Sequence, residues 1–162
     1  MYYVCECQIC HTQNLLEYEE DPYLIYGDKI EMECRLCRKA TLHQRVLTRK
    51  QRSNLNRIIA ERELRRSITE KCAEYGFDCR FVYESVVITT PIADWCFDYH
   101  QSKKTLYHES TIKINFETGR PCKSHCQFRD KKIKTMDIID YIAAHDKWRL
   151  ELRKRRDNLN ED

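Results

Sequence analysis

Cys7-Gln8-Ile9-Cys10 near the start of the chain is matched further on by Cys34-Arg35-Leu36-Cys37. Two C-x2-C pairs separated by a spacer of twenty-three residues have the form of a tetrahedral zinc site, because each short loop directs two sulfurs at one ion. Four thiolates close the coordination shell, which indicates a structural ion and not a catalytic one. We therefore predict a zinc ion held by Cys7, Cys10, Cys34 and Cys37, on which a lobe too small for a large core would depend.

Other potential ligands lie close to these pairs. Cys5 adds a fifth thiol, and His11 and His43 stand just outside the two loops. The spacing favours the four paired cysteines, and it leaves Cys5 as a reserve ligand or a buried spectator.

The segment between the pairs predicts short strands. Residues 15–26 and 29–32 alternate loosely between apolar and polar, with a turn signal at Tyr26-Gly27-Asp28-Lys29. Residues 4–42 thus resemble a zinc ribbon, and the resemblance implies a structural zinc and nothing more. Zinc ribbons occur in nucleic-acid-handling proteins and also as protein-docking modules, so the fold leaves the function open.

The composition is that of a folded chain that forms one domain or two small ones. Of 162 residues, 41% are hydrophobic and 34% are charged, and there are only three glycines and three prolines, which argues against long flexible linkers. The N-terminus has no signal-peptide pattern and no window is apolar enough for a membrane span. We therefore expect a cytoplasmic protein with reduced thiols.

Positive charge is concentrated just after the cysteine pairs. Residues 1–43 carry eight acidic and four basic residues, whereas residues 44–75 carry nine basic and four acidic ones. Residues 48–75 predict a helix, with a capping box formed by Thr48 and Gln51 and a left-handed terminator at Gly76. Its apolar residues form two separate stripes, which predicts that the two halves of the helix pack against different parts of the protein.

The remainder of the chain predicts an antiparallel sheet followed by a helix. Strands are predicted at residues 79–90, 95–99, 106–116 (one or two) and 122–128, with a turn at 117–121, and Thr135 is predicted to cap the last helix. The predicted fold class is α+β, with helices on one face of the sheet. The predicted organisation is a zinc-ribbon-like domain (1–43), a basic bridging helix (44–76), an α+β domain (77–152) and a polar tail that frays (153–162).

The basic helix is the candidate nucleic-acid interface. Guanidinium groups match phosphate oxygens in a bidentate manner, and several on one helix would give salt-dependent binding to DNA or RNA. The candidate residues are Arg49, Lys50, Arg52, Arg57, Arg62, Arg65 and Arg66. A solvated charged face and an acidic protein partner are the alternatives.

A weaker pattern suggests metal-independent RNA cleavage. His108 and His125 are predicted on nearby strands, with Tyr107 beside the first and His100 before it. One imidazole could remove the 2′-hydroxyl proton and the other protonate the leaving oxygen, while Arg120 or Lys123 stabilises the phosphorane. Histidines in such positions more often cap strands or face solvent.

Two further patterns leave alternatives open. Cys122 and Cys126 could form a second metal site with His125 and either Cys96 or His108, although ordinary buried cysteines account for Cys72, Cys79 and Cys96. Trp95, Phe97 and Tyr99 alternate along one strand as a core face or as a base-stacking face.

No P-loop, dinucleotide fingerprint, nucleophile elbow or H-E-x-x-H motif is present, which disfavours the enzyme classes that need them. The YHES, SHCQF and YIAAHD segments resemble short proteins of phages and mobile elements, which assigns no role to any residue. The sequence thus predicts a zinc-stabilised nucleic-acid-binding protein, with a ribonuclease or phosphodiesterase and a host-protein inhibitor from such an element as alternatives.

Overall fold

The computed structural model describes residues 1–115, 121–122 and 124–158, with the backbone alone for Cys122, Asp157 and Asn158. The chain divides into two compact units, Met1–Leu64 and Arg65–Asp162. The predicted turn at 117–121 and the predicted cations Arg120 and Lys123 fall outside the described residues, apart from Pro121.

The first unit is built on a four-stranded antiparallel sheet of order β2-β1-β4-β3. Its elements are β1 (Tyr2–Cys7), β2 (Gln13–Glu17), α1 (Pro22–Tyr26), β3 (Lys29–Glu33), β4 (Ala40–Arg45) and the first part of α2 (Arg49–Glu74). The turn predicted at Gly27 is present, with a left-handed φ of 74°.

The strand prediction for residues 15–26 is wrong in its second half, where the chain forms the short helix α1. Asp21 caps this helix, its Oδ1 accepting a hydrogen bond from the Tyr23 amide at 3.0 Å, and Pro22 supplies the φ that a first helical turn needs. The Asp-Pro start and the glycine end were local signals for a helix, and they outweigh the weak alternation.

Helix α2 begins and ends as predicted. The amide of Thr48 donates to Gln51 Oε1 at 2.9 Å and the amide of Gln51 donates to Thr48 Oγ1 at 3.3 Å, which completes the capping box. At the other end Gly76 is left-handed, with φ of 68°, and the amides of Gly76 and Phe77 donate to the carbonyls of Ala73 and Cys72. This double closure satisfies carbonyls that would otherwise lack donors.

The boundary between the two units falls within α2, and each half of the helix makes contacts within its own unit. In the first half, Asn56 Oδ1 accepts a 2.7 Å hydrogen bond from the Tyr23 hydroxyl. In the second half, Ile68 and Cys72 are buried and the Arg65 guanidinium lies 5.1 Å from the centre of the Phe81 ring. Of the two predicted apolar stripes, the second contains the two buried residues of this helix, Ile68 and Cys72.

The second unit contains a five-stranded antiparallel sheet of order β11-β8-β7-β6-β5, together with a two-stranded ladder of β9 and β10. Its elements are β5 (Asp78–Val82), β6 (Ser85–Thr89), β7 (Asp94–Asp98), β8 (Lys103–Glu109), β9 (Lys113–Ile114), β10 (Pro121–Cys122), β11 (His125–Lys132) and α3 (Thr135–Asn158). The helices and antiparallel strands confirm the α+β class.

Several predicted boundaries need correction. Residues 79–90 form a hairpin and not one strand, because Tyr83 adopts a left-handed φ of 54° and turns the chain between β5 and β6, where Val82 pairs with Ser85. Thr135 is the first residue of α3 and not its cap: its hydroxyl donates to the Tyr99 carbonyl at 3.4 Å, while the Lys134 carbonyl accepts the first helical hydrogen bond, from Ile138. Helix α3 also continues through the predicted tail as far as Asn158.

Both helices of the second unit contact the same face of its sheet. Trp95, Phe97 and Tyr99 lie on this face and are 0–2% exposed, so the base-stacking interpretation of these rings is wrong. Trp95 packs beside α3, its Nε1 donating to Asp146 Oδ2 at 3.2 Å. The opposite face holds a smaller buried cluster of Val87, Cys96 and Ile112.

Candidate metal centre

The four predicted cysteines converge in the first unit. Their sulfurs all lie within 4.8 Å of one another, with Cys7 Sγ 3.9 Å from Cys37 Sγ and Cys10 Sγ 3.5 Å from Cys34 Sγ. A tetrahedron of sulfurs around one ion at a zinc–sulfur distance of about 2.3 Å has edges of roughly 3.8 Å. The cluster therefore has the size that a tetrahedral metal site requires, and the four cysteines could hold a metal ion.

The two cysteine loops repeat the same backbone geometry. His11 and Arg38, each following a second cysteine, are left-handed, with φ of 58° and 54°. Their amides donate to the carbonyls of Cys7 and Cys34 at 3.0 and 2.9 Å. The amides of Cys7 and Cys34 in turn donate to the carbonyls of the residues five positions on, at 3.0 and 3.1 Å. Equal hydrogen bonding makes the two loops present their thiols in equivalent ways.

Buried polar side chains contact the sulfurs of the cluster and one another. The hydroxyl of Thr41 lies 3.3 Å from Cys7 Sγ, and the amide nitrogen of Asn14 lies 3.8 Å from Cys34 Sγ. Asn14 Oδ1 also accepts from the Arg35 amide at 3.1 Å, which ties β2 to the second loop. His43 is fully buried and joins the two supports, its Nδ1 donating to the Thr41 carbonyl at 2.9 Å and its Nε2 accepting from Asn14 at 3.0 Å.

Local hydrogen bonds shift the pKa values of three of these thiols, and not all in the same direction. The hydrogen bond from Thr41 leads the effects that lower the pKa of Cys7 to about 5, and the backbone amide of Cys37 leads those that lower the pKa of Cys34 to about 7. The hydrogen bond with Cys10 raises the pKa of Cys37 to about 12. Cys7 and Cys34, the first cysteine of each pair, are therefore shifted toward the thiolate, which is the form that binds metals.

Cys5 and His11 do not join the cluster. Cys5 is completely buried, and burial raises the pKa of its thiol, as expected of a small apolar core residue. His11 is exposed and lies 3.1 Å from Glu6. Of the two interpretations of Cys5, the buried spectator fits these surroundings.

Intrachain contacts occupy four of the seven predicted phosphate-binding residues. Arg52 pairs with Asp28 at 3.1 Å, Arg62 pairs with Glu20, and Arg66 pairs with Glu70 at 3.7 Å. Arg65 donates to the Tyr99 hydroxyl at 2.9 Å. The other three, Arg49, Lys50 and Arg57, are exposed and form no ion pair with another described residue.

The second unit brings two of the predicted histidines together. The rings of His108 and His125 lie 4.8 Å apart, on paired positions of β8 and β11. Tyr107 precedes His108 on the strand and pairs with Cys126, so it faces the other side of the sheet. His100 stacks on Tyr99 at 4.3 Å and is not part of this group.

A third histidine, His145 of α3, joins the pair and was missed as a site residue. Its ring lies 6.0 Å from His108 and 5.0 Å from Trp95. Next to it, the buried Asp146 accepts hydrogen bonds from Trp95 and Thr90. Only the packing of α3 on the sheet brings His145 here, although a histidine on the sheet-facing stripe of the last helix was visible in the sequence.

The second predicted metal site is not assembled by the described residues. His125 and Cys126 are consecutive on β11 and so face opposite sides of the sheet, and Cys96 lies in the apolar cluster on the side away from α3. Burial raises the pKa of Cys96 to about 12. The side chain of Cys122 falls outside the described residues. Among the described residues, the four N-terminal cysteines are the one group of potential ligands close enough to share an ion.

Neither of the two long helices has, in its described residues, the apolar run that crossing a bilayer requires. Comparison of the chain with protein-family models, with curated proteins and with solved structures finds no match to any of them.

Proposed function

We propose that the four-cysteine cluster holds a structural zinc ion and that the protein binds nucleic acid through the cations of α2. The sulfur tetrahedron supports the choice of zinc, since four thiolates in this geometry suit zinc better than the oxygen-preferring cations. Tetrahedral iron shares this ligand set, and metal analysis of the purified protein distinguishes the two.

The metal assignment is tested with Cys10→Ser, which removes one ligand, against Cys5→Ser, which removes a thiol outside the cluster. We expect one zinc per chain in the wild-type protein and in Cys5→Ser, and a loss of zinc in Cys10→Ser. Retention of one zinc by Cys10→Ser would contradict the assignment.

The nucleic-acid assignment rests on the exposed Arg49, Lys50 and Arg57. They lie within about 100° of one another around the helix axis at 100° per residue, and no described carboxylate neutralises them. Cations in this state are available for phosphate contacts, whereas Arg52, Arg62 and Arg66 are already paired.

Two variants, each lacking three positive charges of α2, test this assignment. The Arg49→Gln/Lys50→Gln/Arg57→Gln variant should bind DNA and RNA more weakly and with a shallower salt dependence, because the log–log slope falls by about one unit for each phosphate that is no longer neutralised. The Arg52→Gln/Arg62→Gln/Arg66→Gln variant changes net charge equally and should retain more of the binding. Equal decreases in the two variants would contradict specific use of the first set. Absence of any salt-dependent binding by the wild-type protein would reject the proposal and favour a protein partner.

A ribonuclease remains a second candidate because His108 and His125 are in contact. Burial, followed by the charge of His125, lowers the pKa of His108, so its imidazole is neutral at neutral pH and can accept a 2′-hydroxyl proton. His125 would then protonate the leaving 5′-oxygen. Arg149 is close enough to act on His108 electrostatically and would take the role predicted for Arg120 or Lys123.

Cleavage of a labelled RNA with one scissile position tests this candidate. We expect cleavage by the wild-type protein, none by His125→Ala, and none of a substrate with a 2′-deoxynucleotide at that position. An unchanged rate in His125→Ala, or cleavage of the deoxy substrate, would rule out this mechanism.

A further inference from the structure

The second half of α3 carries a surface that the functions above leave unassigned. Up to Asp146, one side of α3 packs on the sheet, with Ile138, Ile139 and Ile142 completely buried. Beyond Asp146 the helix borders a shallow groove in which Trp148 is 56% exposed and Leu152 is 42% exposed. The groove is lined by Trp148, Arg149, Leu152, Arg153, Arg155 and Arg156.

The charge of this surface is positive and unneutralised. Helix α3 carries six cations from residue 147 onward, and none of them forms an ion pair with another described residue. They are Lys147, Arg149, Arg153, Lys154, Arg155 and Arg156. Glu151 is the one acidic residue of this stretch whose side chain is described. A partner rich in negative charge complements such a groove better than an apolar protein face.

A row of aromatic rings leads from the groove to the histidine pair. The ring of Trp148 lies 5.9 Å from His145, which lies 6.0 Å from His108, which in turn lies 4.8 Å from His125. Both ends of the row are exposed, at Trp148 and at His125. Planar side chains beside arginines form the combination that stacks unpaired bases and binds the intervening phosphates.

We propose that this surface binds single-stranded nucleic acid, with a base stacked on Trp148 and phosphates on Arg149, Arg153 and Arg156. A duplex keeps its bases stacked on one another, so it can use the arginines but not the indole. The inference rests on the proposed function in taking nucleic acid as the ligand, but it places the contact on α3 and not on α2. The inference also specifies single-stranded nucleic acid as the ligand, whereas the proposed α2 interface could bind single strands or duplexes.

Binding of a labelled 12-nucleotide single strand and of a duplex of the same sequence, by fluorescence anisotropy, tests this proposal. Trp148→Ala should weaken single-strand binding about tenfold and leave duplex binding nearly unchanged. Trp148→Phe should retain most of the affinity. Trp148 is an exposed side chain, and equal thermal transitions of the variants would show that the fold is preserved.

The arginines are tested at constant net charge. Arg153→Gln/Arg156→Gln should lose single-strand affinity, whereas Lys147→Gln/Lys154→Gln, which removes two charges from roughly the opposite side of the helix, should lose less. Equal losses in these two variants, or wild-type affinity in Trp148→Ala, would overturn the proposal.

The α2 variants separate this inference from the proposed function. Wild-type single-strand binding by the Arg49→Gln/Lys50→Gln/Arg57→Gln variant, together with a loss in Trp148→Ala, would support the α3 surface and reject the α2 interface. The reverse pattern would reject the α3 surface alone. No nucleic-acid binding by the wild-type protein would reject both.

Discussion

Asn14 shows how one side chain can support the cysteine cluster without belonging to it. Its amide nitrogen lies near Cys34 Sγ and its oxygen fixes the amide of Arg35, while the side chain itself is 2% exposed. The clustering of the four cysteines could be predicted because their spacing in the sequence encodes the loops. Asn14 and Thr41 could not, because nothing in a single polar residue near a loop indicates that folding will bury it beneath a sulfur.

Asn14→Ala should weaken metal binding while leaving all four ligands in place. Residues that orient ligands typically contribute 10- to 100-fold in affinity, so we expect a loss in this range in competition with a chromophoric chelator. Gln13→Ala, at an exposed neighbouring position of β2, is the control. An unchanged affinity in Asn14→Ala would show that the four cysteines alone determine the binding strength.

His108 should make the stability of the second unit depend on pH. Burial and the neighbouring His125, Arg149 and His145 lower its pKa below 6.5, against the opposing effect of Asp146. The unfolded chain therefore binds more protons than the folded one as pH falls from 6.5 toward the folded pKa, and the free energy of unfolding decreases over that range.

Denaturant titrations at several pH values check this expectation. His108→Phe keeps an aromatic ring against Trp95 and should flatten the decrease below pH 6.5, whereas His100→Asn, at an exposed position of the same unit, should not. The same slope in the wild-type protein and in His108→Phe would assign the pH dependence to other groups.

At the scale of elements, local signals predicted some boundaries well and missed others. Thr48, Gln51 and Gly76 fix both ends of α2 by hydrogen bonds to nearby residues, and such bonds can be predicted from sequence. Residues 79–90 contain no glycine, proline or asparagine that would signal a turn. The sequence therefore predicted one continuous strand where the structure has a hairpin. Tyr83 adopts its left-handed conformation because strand pairing requires it there, which is a tertiary effect.

A substitution at Gly76, at the end of α2, measures the energetic cost of a left-handed backbone conformation without any change in side-chain packing. A Cβ added at Gly76 would meet no atom within 4 Å, so the cost of Gly76→Ala arises from the left-handed φ alone. We expect a loss of about 1 kcal/mol in the free energy of unfolding, measured in urea. Gly76→Asn should lose less, since asparagine tolerates this conformation; equal losses would indicate another cause.

At the scale of the whole molecule, each unit has its own source of stability. The first unit surrounds the cysteine cluster and the second contains the larger apolar core, with Trp95, Phe97 and the isoleucines of α3. The cysteine pairs and the α+β class were predictable because spacing and hydrophobic periodicity are local properties. The group of His108, His125 and His145 was only partly predictable, since it depends on how three distant elements meet.

Removal of the metal should therefore affect the two units differently. With a strong chelator, amide hydrogen exchange of β1 to β4 should lose its protection, because a lobe of this size would depend on the proposed zinc ion. The strands of the second unit should keep most of theirs, and restoring zinc should reverse the change. Equal loss of protection in both units would show that they fold as one cooperative body.

The matching hydrogen bonds of the two cysteine loops have a consequence for engineering. Asn14 and Thr41 contact sulfurs of different loops, but the loops themselves have the same backbone hydrogen bonds, so a chimera that carries residues 7–12 or 34–39 twice should still bring four cysteines together. Such an exchange would alter Gln8, Ile9, His11 and Thr12 in one segment and Arg35, Leu36, Arg38 and Lys39 in the other. The residues between and after the cysteines of each loop could therefore be varied independently while the four cysteines are kept.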